Sequence, residues 1–229
     1  MVRFGSVPTS LKTSLVAVIA VAAFVPDARD PRDRTPLVRQ IRALLNRMVL
    51  GAYGLIVLLM IATFSLITFV APYMAEAAGV GSGPLPLVLL GFGIVGAVGT
   101  FAGGRLTDRF PTACLLASFP VTAAAYGVVW LGMPHAPALG MAAIAVIAAG
   151  GSVAAISAQH RILVGAVRAP ELASTLMSSV FNVGIAAGAG IGAWMLDAGM
   201  PVSDVPLIGF VSVAIASAVA FTAVATERR

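Results

Sequence analysis

Charged side chains divide this chain into stretches too long and too apolar to remain in water. Met48 to Ala75 and Ala77 to Gly104 each run 28 residues without Asp, Glu, Lys or Arg; Leu172 to Leu196 runs 25, and Val205 to Thr226 runs 22. A helix needs roughly 20 apolar residues to cross the hydrocarbon of a bilayer. Phe110 to His160 runs 51 residues, too long for one crossing. Met133-Pro134-His135-Ala136-Pro137 divides it, because two prolines around a histidine favour a tight turn. Six spans result. Composition agrees: 59% of the residues are hydrophobic, only 10% are charged and the mean hydropathy is +1.01, where soluble domains average about 25% charged. These values exclude an ordinary soluble enzyme and a disordered chain. A single cysteine, Cys114, excludes an internal disulfide framework. The expectation is an all-α membrane protein whose first partner is the lipid bilayer.

A seventh apolar stretch, Thr13 to Pro26, has 14 residues. It is short for a span and resembles in length the core of a signal peptide. No small-residue cleavage pattern follows it; Pro26-Asp27-Ala28-Arg29-Asp30-Pro31 does. The preferred reading is a partial transmembrane helix preceded by a leader. Three regions follow: residues 1–26 with the partial helix, an Arg-rich linker over 27–47, and a six-helix transmembrane domain over 48–229. Within the linker, Val38, Ile41, Leu44 and Leu45 fall on one helical face with Arg39, Arg42 and Arg47 elsewhere. That pattern suits a short amphipathic helix on the membrane surface, and suits a solvated linker equally well.

The basic residues are distributed by side. The linker carries Arg29, Arg32, Arg34, Arg39, Arg42 and Arg47, and the connection from Glu76 to Pro86 carries none. Arg105 and Arg109 come next, none surround His135, then Arg161 and Arg168 follow. None lie between Asp197 and Asp204, and the chain ends Glu227-Arg228-Arg229. Cytoplasmic connections are enriched in Lys and Arg, so the alternation predicts a multi-pass protein of the inner (plasma) membrane with a cytoplasmic C-terminus. The net charge of +5 is then an orientation signal, and no nucleic-acid partner is expected.

No span carries an ionisable residue near its middle, where proton or ion coupling is usually built. Glu76 and Asp197 sit at the outer ends as hydrated caps. There is no H-E-x-x-H and no P-loop lysine; the histidines are His135 and His160 alone. Neither a catalytic residue, nor a metal site, nor a cofactor is expected. Asn182 lies mid-span, and its amide has more donors and acceptors than its own helix can satisfy. It must face another helix or a wet cavity. Tyr53, Phe64, Phe69 and Tyr73 form an aromatic set along the first span, as a pocket for amphiphilic molecules would need and as core or lipid-facing packing would also give. Gly99 and Gly103, and again Gly184, Gly188 and Gly192, repeat a four-residue spacing of small residues that lets helices approach closely.

Between the second and third spans the chain reads Gly104-Arg105-Leu106-Thr107-Asp108-Arg109. This resembles the G-x-L-x-D-R signature that the major facilitator superfamily places between helices two and three of each half. The basic residues that usually follow are replaced by Pro111-Thr112-Ala113. Further stretches resemble the drug:proton antiporters of that superfamily and the related arabinose- and chloramphenicol-efflux proteins. They are Leu90 to Gly104, Gln159-His160-Arg161 through Ala169-Pro170-Glu171, and Leu172-Ala173-Ser174 through Phe181-Asn182-Val183-Gly184 to Leu196-Asp197-Ala198-Gly199. In order and spacing they match the second six-helix half, over about residues 13 to 226.

The resemblance implies a six-helix half of a major facilitator bundle plus the end of the preceding helix. It implies a secondary transporter that exports small amphiphilic compounds, drugs or sugars, against protons by alternating access, and not an enzyme. Transporters of this kind bind substrate between two pseudo-symmetric halves, so the resemblance also implies a missing N-terminal half or a second six-helix chain as partner. It assigns Gly104, Leu106, Asp108 and Arg109 to a gating loop, and makes Tyr53, Phe64, Gln159, Phe181 and Asn182 pocket candidates. Two alternatives stand beside it: a non-transporting remnant or scaffold, and a six-span homodimeric carrier using the glycine stripes as its dimer surface.

Overall fold

The computed structural model describes residues 44–77, 79, 83–133, 135–167 and 169–227. The partial helix over 1–26 and the linker up to residue 43 lie outside the described residues, so of the amphipathic pattern only Leu44, buried, and Leu45 and Arg47, both exposed, are placed. Among the described residues the chain is a bundle of α-helices without strands, and six helices are long and apolar enough to cross a membrane. The chain is a multi-pass membrane protein.

The first charge-free stretch forms two helices, α1 (Arg47–Thr68) and α2 (Val70–Ala77), with Phe69 between them. Pro72 explains the break. It has no N–H to donate to the carbonyl four residues back, that of Thr68, and its ring would collide with it. At the other end of α1, Asn46 caps the helix by accepting from the Met48 N–H at 3.1 Å. The second stretch forms α3 (Leu85–Arg109), eight residues later than its charge-free run begins. The long stretch splits into α4 (Pro111–Gly132) and α5 (Pro137–Gly165), joined by the turn expected there, with the Ala136 N–H on the Gly132 carbonyl at 2.8 Å. Next come α6 (Pro170–Asp197), a 3-10 turn at Val202–Asp204, and α7 (Val205–Glu227). Pro86, Pro111, Pro137 and Pro170 stand in the first turns of α3 to α6, where an N–H is not required and the fixed φ suits a helix.

α1 and α5 organise the bundle. α1 packs against α5, α6 and α7; α5 packs against α1, α3 and α4; and α7 closes the far side against α1 and α4. Tyr73, Tyr126, Phe119, Leu55, Ile56 and Leu59 are almost wholly buried inside it. Burial is uneven. Half of the residues across the spans of α1 and α4 are buried, against 17% in α6 and 6% in α3.

Lipid offers apolar groups no reason to prefer protein, so helix association depends on close packing and interhelical hydrogen bonds. Both are present. Tyr53 donates its hydroxyl hydrogen to the Ala173 carbonyl at 2.9 Å, joining α1 to α6, and Tyr73 donates to Val129 at 2.8 Å, joining α2 to α4. Ser152 on α5 lies 3.0 Å from the Gly96 carbonyl of α3, and Trp130 on α4 donates to Asp204 at 2.9 Å. At the basic end of the bundle, Arg161 on α5 is ion-paired with Glu227 on α7.

Candidate functional site

The two least buried spans each use one stripe of glycines for packing. On α3, a Cβ added at Gly99 would lie 2.7 Å from the Ala149 Cα, and one at Gly103 would lie 3.2 Å from the Val153 Cα, both on α5. On α6, a Cβ at Gly184 would lie 2.9 Å from the Val57 carbonyl oxygen and one at Gly188 2.6 Å from that of Ile61; one at Gly192 would meet the Phe69 ring at 2.5 Å. All five glycines are buried against neighbours within this chain. A dimer surface built from these stripes is therefore occupied already.

Away from α1, α6 shows a different surface. Thr175, Ser179, Asn182, Ala186, Gly190 and Ala193 recur every three or four residues and are all exposed. Ser178 lies beside them, also exposed. At about 100° per residue these positions share one face, opposite the glycines that pack on α1. Thr175 returns its hydroxyl to the Glu171 carbonyl at 2.9 Å. Asn182, near the middle of the helix, has an amide that a helix backbone cannot satisfy. Leu176, Val183 and Trp194 flank the stripe as exposed apolar neighbours, so the polar strip has a lipid-compatible border. An exposed amide in hydrocarbon costs several kcal/mol by transfer estimates, roughly 2–7. This strip is suited to water, to ligand or to another helix.

The pocket candidates do not share one surface. Tyr53 is buried in the α1–α6 contact with its hydroxyl engaged by Ala173. Asn182 stands nine residues from Ala173, about half a turn around α6, so Tyr53 and Asn182 lie on opposite sides of that helix. Phe64 on α1 and Phe181 on α6 are half-buried against the hydrophobic core. Gln159 is half-buried on α5, a helix that touches α6 only slightly.

The stretch expected as a gating loop is helical. Gly104, Leu106, Asp108 and Arg109 form the end of α3, and Phe110 alone joins it to α4. Leu106, Asp108 and Arg109 are exposed, and the space beside Gly104 is open. The buried member is Thr107, an unspecified position of the signature: its hydroxyl lies 3.2 Å from that of Ser157 on α5. Gly99, Gly103 and Thr107 fall four residues apart on the α5-facing side, and that spacing would have singled Thr107 out. The Arg161–Glu227 pair, between residues 66 positions apart, leaves no comparable signal in the sequence.

No family model matches the chain. It is 28% identical over 193 residues to the uncharacterized MFS-type transporter YtbD of Bacillus subtilis (strain 168), an alignment covering 82% of this chain and 48% of that protein. It is 29% identical over 177 residues to a chloramphenicol resistance protein of Streptomyces lividans, covering 76% and 45%, and 27% identical over 191 residues to the inner membrane transport protein YdhP of Escherichia coli (strain K12), covering 82% and 48%. These relatives support membership in the major facilitator superfamily. The chain spans about half the length of the curated relatives it matches. The similarity extends across most of the chain, whose described part is the six-helix bundle, and the Bacillus subtilis and Escherichia coli relatives are named as transport proteins.

Proposed function

We propose that this chain acts as the C-terminal six-helix half of a major facilitator transporter that exports small amphiphilic compounds, drugs or sugars, in exchange for protons. In this reading the basic ends of the helices and the C-terminus face the cytoplasm of a cell whose inner membrane holds the bundle. A second six-helix bundle, either a preceding half or a separate chain, lies along the outward strip of α6, and the substrate path runs between the two. The observation that carries the reading is the strip itself: Thr175, Ser178, Ser179 and Asn182 exposed on a membrane-spanning helix. Asn182 is the substrate contact, with Phe181 preceding it on α6, while Tyr53 holds α1 against α6 from the opposite side of that helix; Phe64 and Gln159 stand on other helices, away from the strip. Gly104, Leu106, Asp108 and Arg109 act at the cytoplasmic gate, where Asp108 is free to engage a partner helix end. The glycine stripes keep α3 and α6 seated on the bundle while the two bundles rock.

Chloramphenicol, taken from the name of the Streptomyces lividans relative, is the first compound to test, followed by other amphiphilic drugs and by pentoses. Asn182→Leu and Asp108→Asn, introduced at the native locus, should raise intracellular accumulation of the exported compound while leaving the amount of protein in the membrane unchanged. A protonophore should abolish the difference between wild type and variants. Unchanged accumulation of every compound in both variants, at normal membrane levels, would overturn the proposal.

A further inference from the structure

At the cytoplasmic end of α3, beside the residues the transport reading gives to the gate, Arg105 and an apolar track have no part in that reading, and they share the outward side of the helix with Arg109. On the side of α3 turned away from α5, Leu90, Ile94, Val98 and Phe101 form a continuous exposed track, each more than half accessible. The track ends in Arg105, whose guanidinium carbon sits 3.8 Å from the centre of the Phe101 ring. One turn further, Arg109 lies 5.4 Å from the ring of Phe110, itself exposed. Among the described residues the ion pair found is Arg161–Glu227; neither Arg105 nor Arg109 takes part in one, and Asp108 stands between them in sequence without pairing to either.

We infer that this end of α3 is a binding surface for an anionic phospholipid. The dimensions fit. From Leu90 to Phe101 is about 16 Å at the helical rise, close to half of a hydrocarbon core of roughly 30 Å, the depth of one leaflet. An acyl chain lies along the aliphatic track, and the phosphate meets two guanidinium groups one turn apart. Arginine suits this role because its planar fork bonds phosphate oxygens in pairs and its face stacks on an aromatic ring. The rings hold both cations at the level where the apolar track stops, and basic residues at that level attract anionic lipid. Arg161 provides the contrast: it is nearly buried and its charge is taken up by Glu227.

The inference is independent of substrate and of coupling, and it is tested on the whole chain purified in an uncharged detergent. Phosphatidylglycerol should raise the melting temperature by about 2–4 °C more than phosphatidylcholine with the same acyl chains, the shift that about 1 kcal/mol gives in a chain of this size. The double variant R105Q/R109Q should melt at the wild-type temperature without lipid and show no difference between the two lipids. Inorganic phosphate should leave the wild-type melting temperature unchanged. Equal shifts from the two lipids in the wild type would overturn the inference, as would a phosphatidylglycerol preference that survives in the double variant, or an equal response to phosphate. If the double variant does not fold, native mass spectrometry of the wild-type chain decides: phosphatidylglycerol retained over phosphatidylcholine from an equal mixture supports the site, and equal retention overturns it.

Discussion

α3 and α6 are the two spans that the bundle covers least, and they turn different chemistry outward. On α3 the exposed side carries Leu87, Leu90, Ile94, Val98 and Phe101. Its one exposed hydroxyl at membrane depth, on Thr100, returns to the Gly96 carbonyl at 2.9 Å. On α6 the outward strip is Thr175, Ser179, Asn182, Ala186, Gly190 and Ala193. Both helices pack inward through glycines four residues apart. The inward faces follow one rule, close backbone approach, and the outward faces follow two. Hydrocarbon is an adequate neighbour for α3, whereas an amide at mid-membrane on α6 needs water, ligand or protein. Low burial alone would have grouped the two helices together; side-chain chemistry separates them.

The sharpest way to break this comparison is to put bulk on each face of α6. Gly188→Leu drives a side chain toward the Ile61 backbone, where even a Cβ would sit 2.6 Å from the carbonyl oxygen. Overpacking of this kind costs about 1–3 kcal/mol or more, and the variant should be lost from the folded, monodisperse fraction in detergent. Gly190→Leu points into open space and should fold normally. Equal behaviour of the two would mean that the faces are misassigned.

Next in size is the effect on transport. Asn182→Leu removes the amide from the outward strip, and the loss of one such hydrogen-bonding group should lower efflux about tenfold, read as drug accumulation at constant membrane level. Ile94→Leu on α3 should leave efflux unchanged. A smaller but more direct contrast comes from single cysteines placed in a Cys114→Ala background, where Cys114 itself is buried. Ala186→Cys should react with a water-soluble maleimide several times faster than Ile94→Cys, as a strip lining water should beside one lining lipid. Comparable rates would remove the distinction.

The smallest expected effect concerns the hydroxyl that ties α3 to α5. Thr107→Val breaks the contact with Ser157 and should lower stability by about 0.6 kcal/mol, the average for interhelical hydrogen bonds in membranes. Thr100→Val, whose hydroxyl bonds within its own helix, should change the melting temperature less.

The six spans could be read from charge-free runs because crossing a bilayer is a requirement on length and hydropathy, and both are local. Helix ends were less legible. The run from Met48 to Ala75 conceals the break at Phe69, since Pro72 carries no charge, and the run from Ala77 begins well before Leu85, where the helix starts. The signature at Gly104 to Arg109 was visible as a string, yet its helical conformation and the burial of Thr107 depend on α5 lying beside it. Tyr53 and Asn182 both read as polar or aromatic residues of a pocket. Only the packing of α1 on α6 shows that one is engaged inside the bundle while the other faces away from it.

The sequence by itself determined the six spans among the described residues, the turn between α4 and α5, and which connections carry positive charge. Each of these follows from free energies that accumulate residue by residue along one segment. Which face of each helix meets protein was decided by the tertiary structure. Apart from the polar strip of α6, the faces of these helices are apolar enough for lipid or for a neighbour, and the choice between them rests on close contacts that only the assembled bundle provides. Gly188 and Gly190 are the same residue two positions apart; a Cβ on the first would run into the backbone of α1, and a Cβ on the second would meet open space.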